Sequence, residues 1–298
     1  MRILFGNALI NTWKNNKVLF VKNMIGRAYK KIIVVLVFFT LPACSVVGGL
    51  WYERIDQLIA NQFLEYASFT NAHENYVRQA TLEFKHWNIK NELPKYKKLI
   101  SQFRFLDNTT TVDDIDDIYQ QGILLGNNTR DFFLPQIVEF CKTITNKQVE
   151  EMAIYFDELM KERKLELENE EANFQSSLAK SFKRFFRLMG VKLNNEQINT
   201  VQILSSGIED TREQLITERI EWNQQFIAIL SLRQNLNFEE IFIKHINSLD
   251  SENPNTRILI NQITAEIIAS LDEKQREKFQ KRLGRFEASI DQIIQEQN

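Results

Sequence analysis

Residues 178–189 read Leu-Ala-Lys-Ser-Phe-Lys-Arg-Phe-Phe-Arg-Leu-Met. Their apolar side chains recur three or four positions apart, the spacing that lines one face of an α-helix. The basic side chains fall between them and form the opposite face. This pattern predicts an amphipathic helix whose aromatic face packs into a protein core. The alternative is that the basic face rests on an anionic lipid surface, but the acidic run at 166–171 offers these bases protein partners and favours the core.

The same helical period recurs along most of the chain after residue 50. Strand signals are nearly absent, because the chain has neither an Asn-Gly or Asp-Gly hairpin nor a sustained alternation of apolar and polar residues. Pro94, Pro135 and Pro254 each lie where a helix could begin, since the first turn does not need the N–H that proline lacks. We predict an all-α fold, an antiparallel helical bundle-like domain over residues 50–298.

A short repeat marks the predicted helix starts, at 144–148, 193–197 and 271–275. Each copy has an aliphatic residue, a capping residue, two variable positions and then Gln. This is the pattern of a capping box, in which the cap side chain and the residue three positions later bind each other's backbone N–H groups. The predicted pairs are Thr145 with Gln148, Asn194 with Gln197, and Asp272 with Gln275. Residues 69–73 form a degenerate fourth copy, with His73 in place of Gln.

The N-terminal segment has the order of a secretory signal peptide. Basic residues precede the apolar run 32–41, which is too short to span a bilayer, and the run ends at Leu41-Pro42-Ala43-Cys44. A Cys after a small residue resembles the lipobox of bacterial lipoproteins. The resemblance implies cleavage after residue 43, with a diacylglycerol on the Cys44 sulfur and an acyl chain on its amine. Residues 44–49 would then form a tether. A start at Met24 would give the signal peptide a compact basic n-region, and the alternative is a long leader that begins at Met1.

Composition limits the classes of function. Residues 1–43 carry seven of the 37 Lys and Arg and no acid, so the mature chain has 30 bases against 39 acids, a net charge of −9. Such a chain is a poor candidate for nucleic-acid binding, which needs clustered cations. Cys141 would be the only free thiol, and we expect it to be buried. The three histidines show no metal-ligand spacing and no catalytic motif occurs, so we predict no metal, no cofactor beyond the acyl chains, and no enzyme activity.

One cluster is a candidate site: His86, Trp87, Glu92 and Tyr96. The functional interpretation is a ligand pocket or polar network where two helices meet near Pro94. The structural interpretation places Trp87 and Tyr96 in the core and Glu92 on the amides of the next helix start. We prefer the structural interpretation, because an acid before a proline is ordinary at a helix start.

Two family resemblances follow from these residues. The capping repeats are similar to the Leu-Thr-x-x-Gln motifs of Spy/CpxP periplasmic chaperones. Over most of residues 41–294, the chain resembles bacterial lipoproteins of the uncharacterised family DUF6279. The matching segments are Leu-Trp-Tyr-Glu-Arg-Ile-Asp at 50–56, the stretch from His-Trp to Glu-Leu-Pro-Lys-Tyr at 86–96, Gly-Val-Lys-Leu through Gln at 190–197, and Arg-Ile-Glu-Trp at 219–222. That family tends to reverse the His-Trp order and to have Gln where this chain has His73.

Together these observations predict a lipid-anchored protein of the bacterial cell envelope. The resemblances imply no activity, so we expect a non-enzymatic binding or structural module held to the membrane through Cys44. In Gram-negative lipoproteins an Asp after the lipidated Cys commonly retains the protein in the inner membrane, so by this resemblance Ser45 implies the periplasmic face of the outer membrane. A further envelope protein is the expected kind of partner. The alternative function is a periplasmic chaperone or envelope-stress adaptor of the Spy/CpxP type.

Overall fold

The fold is all-α, as predicted. A computed structural model describes residues 52–169, 173–248 and 254–296, and these ranges contain eleven helices and no strand. The predicted signal peptide (1–43), Cys44 and the tether (44–49) lie outside them. The helices are α1 (Ile55–Leu64), α2 (Asn71–Asn91), α3 (Leu93–Arg104), α4 (Val112–Thr143), α5 (Asn146–Asn169), α6 (Phe174–Leu188), α7 (Asn195–Ser205), α8 (Arg212–Ser231), α9 (Phe238–Asn247), α10 (Pro254–Ala269) and α11 (Glu273–Glu296).

The buried side chains form two clusters. The first core contains Phe279 and draws mainly on α3, α6, α7, α10 and α11. The second core contains Phe242 and draws mainly on α5, α8 and α9. Two long helices run through both: α2 contributes Ile89 to the first core and Val77 to the second, and α4 contributes likewise to each. These shared helices make the two cores parts of one structure.

The segment at 178–189 packs as its apolar face predicts. Phe182, Phe186 and Met189 are buried in the first core. The basic residues Lys183 and Arg184 lie on the exposed face of α6. The core interpretation therefore describes this helix, because the hydrophobic effect favours removing its aromatic side chains from water.

The prediction that all three prolines begin helices is wrong for one of them. Pro94 lies in the first turn of α3 and Pro254 is the first residue of α10. Pro135, however, lies inside α4. It cannot donate the helical hydrogen bond to the carbonyl of Asp131, and an interior proline typically costs a helix about 3 kcal/mol. Burial of the helix on both sides of Pro135, in the first core before it and the second core after it, offsets that cost.

Each predicted capping repeat lies at a helix start and forms its reciprocal hydrogen bonds. The side-chain oxygens of Thr145, Asn194 and Asp272 accept from the backbone N–H three residues later, at 3.2, 2.9 and 2.8 Å. The Gln side chains accept in return from the backbone N–H of the cap residues, at 2.9, 2.9 and 3.1 Å. Thr70 and His73 form a fourth box. Thr111 and Asp114 form a fifth capping box at the start of α4. The sequence repeat does not predict this box, because its third helical residue is Asp and not Gln.

The boxes also meet in pairs, which the sequence did not predict. In the Gln junction, the box of Asn194 and Gln197 faces the box of Asp272 and Gln275. Nε2 of each Gln donates to Oε1 of the other at 3.0 Å. Each Gln also donates to the carbonyl two residues before the opposite cap, Gln197 to Ser270 at 3.2 Å and Gln275 to Lys192 at 2.9 Å.

The second pair of boxes is the His junction, in which the box of Thr70 and His73 faces that of Thr145 and Gln148. Nε2 of Gln148 donates to the carbonyl of Ser68 at 3.0 Å and lies 3.3 Å from Nδ1 of His73. The Gln junction adjoins the first core through Leu193 and Leu271, and the His junction adjoins the second core through Phe69 and Ile144, four residues that each precede a cap.

Candidate functional site

An open groove of about 370 Å³ lies beside the junction of α2 and α3. It is found where α2 and α4 pass from one core to the other, since Trp87 follows Val77 of the second core and precedes Ile89 of the first. Its lining combines two aromatic side chains with carboxylate, amide and ammonium groups: Trp87, Asn91, Glu92, Lys95, Asn128, Asp131 and Phe132. Trp87 and Glu92 are thus the two members of the predicted cluster that the structure brings together here.

Glu92 is the single residue between α2 and α3, and it is only 1% exposed. Its Oε1 accepts from Nζ of Lys95 at 2.6 Å, and its Oε2 accepts from Nδ2 of Asn128 at 3.0 Å. The side chain makes no capping hydrogen bond to α3, so the expectation that it binds the amides of that helix start is wrong. The physical reason is that the carboxylate turns inward, where Lys95 and an amide from α4 compensate its burial.

Trp87 forms the aromatic wall of the groove. Its ring centroid lies 4.8 Å from that of Phe132 on α4 and 5.9 Å from that of Phe84 on its own helix. The side chain is only partly buried, so the expectation that Trp87 belongs to the core is not met in full. One part of the indole packs against phenyl rings while the remainder faces the groove.

A buried polar layer lies behind the groove. Tyr96 is 4% exposed, and burial raises the pKa of its hydroxyl, an effect that a hydrogen bond with Thr129 partly offsets. The hydroxyl of Tyr52 donates to Oδ1 of Asn88 at 2.6 Å, and burial likewise raises the pKa of Tyr52. Tyr96 is therefore a core residue, as the structural interpretation has it, and these side chains hold α2 and α3 in place.

His86 is exposed and does not line the groove. Successive residues of an α-helix point about 100° apart, so the neighbour of Trp87 is directed elsewhere. The groove instead uses Asn128, Asp131 and Phe132 of α4, which the sequence analysis missed. Their spacing of three and four residues places them on one face of α4, and a polar run inside a helical pattern was the available signal.

The thiol, metal-ligating and membrane-spanning features of the described residues complete the description of the site. Cys141 is buried, as expected, and burial raises the pKa of its thiol to about 12, which makes the thiolate nucleophile scarce. In the ranges that the structure describes, no three His, Cys, Asp or Glu side chains are grouped to hold a metal ion. Across these same residues, no helix has the length and apolar character needed to cross a membrane.

Comparison with known proteins gives a family. The profile of a family of unknown function, DUF6279, matches residues 65–252, more than half of the chain. No curated protein matches, and no solved structure matches. The matched range includes the groove residues, both boxes of the His junction, and one box of the Gln junction. The chain belongs to the DUF6279 family.

Proposed function

We propose that this protein is a lipid-anchored, non-enzymatic binding module of the bacterial cell envelope, and that the groove at Trp87 is where it holds an envelope protein partner. The observation that carries the proposal is the half-buried indole beside a fully buried carboxylate. The sequence supports the location, with Cys44 as the lipidated residue and the periplasmic face of the outer membrane as the site of anchoring.

The chemistry of the groove suits a protein partner. Tryptophan is enriched among residues that dominate binding energies at protein interfaces, because its large rigid surface loses little conformational entropy on contact. Trp87 is fixed by Phe84 and Phe132, so its exposed part is already oriented. The rim is polar, with the exposed side chains of Asn91 and Asp131. An apolar centre with a polar rim is the usual anatomy of such interfaces.

The test uses the full lipidated chain in its own envelope. A photo-crosslinking amino acid replaces Asn91 at the groove, and a matched chain carries it at Lys281, an exposed position on α11 that does not line the groove. We expect a discrete protein adduct from position 91 and not from position 281. Equal adducts from both positions, or none from position 91, would contradict the proposal.

The anchor is tested separately. Cys44→Ala should leave the protein without lipid and slow removal of the signal peptide. Mass spectrometry of the wild-type mature N-terminus should find an acylated Cys44. A mature chain that begins at another residue and carries no lipid would show that residues 1–43 are not a lipoprotein signal peptide.

A periplasmic chaperone or envelope-stress adaptor is the second candidate. It is favoured by the capping boxes, which are similar to Spy/CpxP motifs, and by large apolar side chains at the surface. Phe105 is 65% exposed, Leu124 61% and Ile203 61%. A chaperone of this kind should suppress aggregation of an unfolded client at near-equimolar ratio. Replacing Phe105, Leu124 and Ile203 together by Ser should reduce that activity, whereas the binding-module proposal expects no suppression by the wild-type chain.

A further inference from the structure

The His junction and the Gln junction share one arrangement but differ in a side chain that can change its charge. His73 occupies the third helical position of its box, where the other paired boxes have Gln148, Gln197 and Gln275. Imidazole is the side chain that ordinarily gains or loses a proton between pH 5 and 8. A Gln amide keeps the same donors and acceptor throughout that range.

The hydrogen bonds around His73 require an unprotonated nitrogen. Nδ1 of His73 faces the backbone N–H of Thr70 at 3.5 Å and Nε2 of Gln148 at 3.3 Å. The orientation of the Gln148 amide is fixed independently, because its Oε1 accepts from the backbone N–H of Thr145 at 2.9 Å and its Nε2 donates to the carbonyl of Ser68 at 3.0 Å. Both groups that face Nδ1 are therefore donors, and Nδ1 has to accept.

A proton on Nδ1 would reverse this arrangement. The imidazolium has two N–H donors and no acceptor, so it would direct an N–H at Thr70 N–H and at the Gln148 amide. Gln148 cannot turn to offer its oxygen without losing its bonds to Thr145 and Ser68. The Gln junction has no such conflict, since Gln275 accepts from the backbone N–H of Asp272 with an amide oxygen.

Charged residues lie on the three helices that meet at the His junction. Glu74 follows His73 on α2, Glu139 and Lys142 flank Phe140 and Cys141 on α4, and Lys147 and Glu151 lie in the first two turns of α5. Most of these already bind elsewhere: Lys142 pairs with Glu139 at 2.6 Å, and Glu151 accepts from the backbone N–H of Ser68 at 2.6 Å.

We propose that the His junction is an acid-sensitive contact: proton uptake by His73 releases the start of α2 from the start of α5, while the Gln junction stays closed. Opening of the His junction would also reach the second core, because His73 contacts one of its aromatic rings. The Phe140 ring, which is part of that core, lies 5.3 Å from the imidazole. Loss of the contact between α2 and α5 would therefore loosen the packing around Phe140.

A second histidine, His245, also makes the fold less stable as the pH falls, and it packs against aromatic rings of the second core. His245 stacks on Trp222 at 4.5 Å, and its Nε2 donates to the Trp222 carbonyl at 3.1 Å. Burial lowers the pKa of His245. The unfolded chain therefore binds this proton at a higher pH than the fold does, and the contribution to stability is lost as the pH falls below about 6.5.

The test is amide hydrogen exchange on the full lipidated chain in detergent, at pH 7.5 and 5.5, corrected for intrinsic exchange rates. We expect peptides covering 66–76 and 142–152 to lose about tenfold in protection at the lower pH, the size of effect that two lost hydrogen bonds produce. Peptides covering 190–200 and 268–278 should change little. The variant H73Q gives the His junction the side chain of the Gln junction, and it should abolish the acid-dependent loss at 66–76 and 142–152.

The reverse exchange keeps the test decisive if either variant folds poorly. Q275H should make the peptides at 190–200 and 268–278 acid-sensitive and leave the His junction as it is in the wild type. An identical acid response of wild type and H73Q would overturn the proposal. So would a Gln junction that opens with acid as readily as the His junction. His245 is unchanged in both variants, so its contribution cancels in the comparison.

Discussion

The His junction and the Gln junction begin from one short sequence pattern, yet they differ in how completely their two boxes bind each other. In the Gln junction, the side-chain amides of Gln197 and Gln275 donate to each other, and each also donates to the backbone carbonyl two residues before the opposite cap. In the His junction only Gln148 donates across, because an imidazole nitrogen that accepts cannot also donate. A local pattern therefore determines where a helix starts, whereas the chemistry of its third residue determines how many hydrogen bonds that start makes to a distant one.

The largest expected effects compare the two cores themselves. Phe279 in the first core and Phe242 in the second are both 0% exposed. Phe279→Ala and Phe242→Ala should each lower the free energy of unfolding by about 3–5 kcal/mol, because each removes a fully buried ring. Chemical denaturation should show a single transition for both variants, since α2 and α4 run through both cores. Phe105→Ala, at a 65% exposed position, is the control and should cost far less. Two separate transitions would mean that the cores unfold independently.

The next effects compare the glutamines that cross each junction. Gln148→Ala and Gln197→Ala should each destabilise the protein by about 1–3 kcal/mol, because partners buried in the junction lose their hydrogen bonds. Gln197→Ala should cost more, since its amide both donates to and accepts from Gln275. Thermal denaturation ranks the two variants, with Gln202→Ala on the exposed face of α7 as the control. A larger loss of stability for Gln148→Ala would contradict the expectation that the Gln junction stabilises the fold more than the His junction does.

Smaller effects belong to the caps. Thr145→Ala, Asn194→Ala and Asp272→Ala should each lower stability by about 0.5–2 kcal/mol, because each leaves a helix-start N–H without its acceptor. Asn195→Ala, one residue beyond a cap and exposed, is the matched control for Asn194. Urea denaturation of the four variants is the measurement. If none of the three cap variants differs from the control, the boxes contribute nothing measurable to the fold.

The sequence predicted the features of the fold that are set by residues close together in the chain. Helical periodicity identified the buried face of α6, and the capping pattern identified three helix starts, because both are set within a few positions of the chain. Contacts between distant segments left no such signal. The pairing of Gln197 with Gln275, the acceptance of a hydrogen bond from Asn128 by Glu92, and the tolerance of Pro135 inside α4 all depend on tertiary packing. The contact between Glu92 and Asn128 shapes the groove, and the contact between Gln197 and Gln275 forms the Gln junction. The sequence therefore located candidate residues but not their partners.

The smallest expected changes in stability concern the groove, which lies where α2 and α4 pass from one core to the other. His86→Ala and Asp131→Asn both alter exposed side chains on the helices that run through both cores, and surface substitutions usually change stability by less than about 0.5 kcal/mol. The two variants should nevertheless separate in the envelope. Asp131 lines the groove and His86 does not, so Asp131→Asn should weaken the adduct formed from position 91 while His86→Ala leaves it intact. Loss of the adduct in His86→Ala alone would place the binding surface on the exposed face of α2 that carries His86. Loss in neither would show that the groove is only a gap between packed helices.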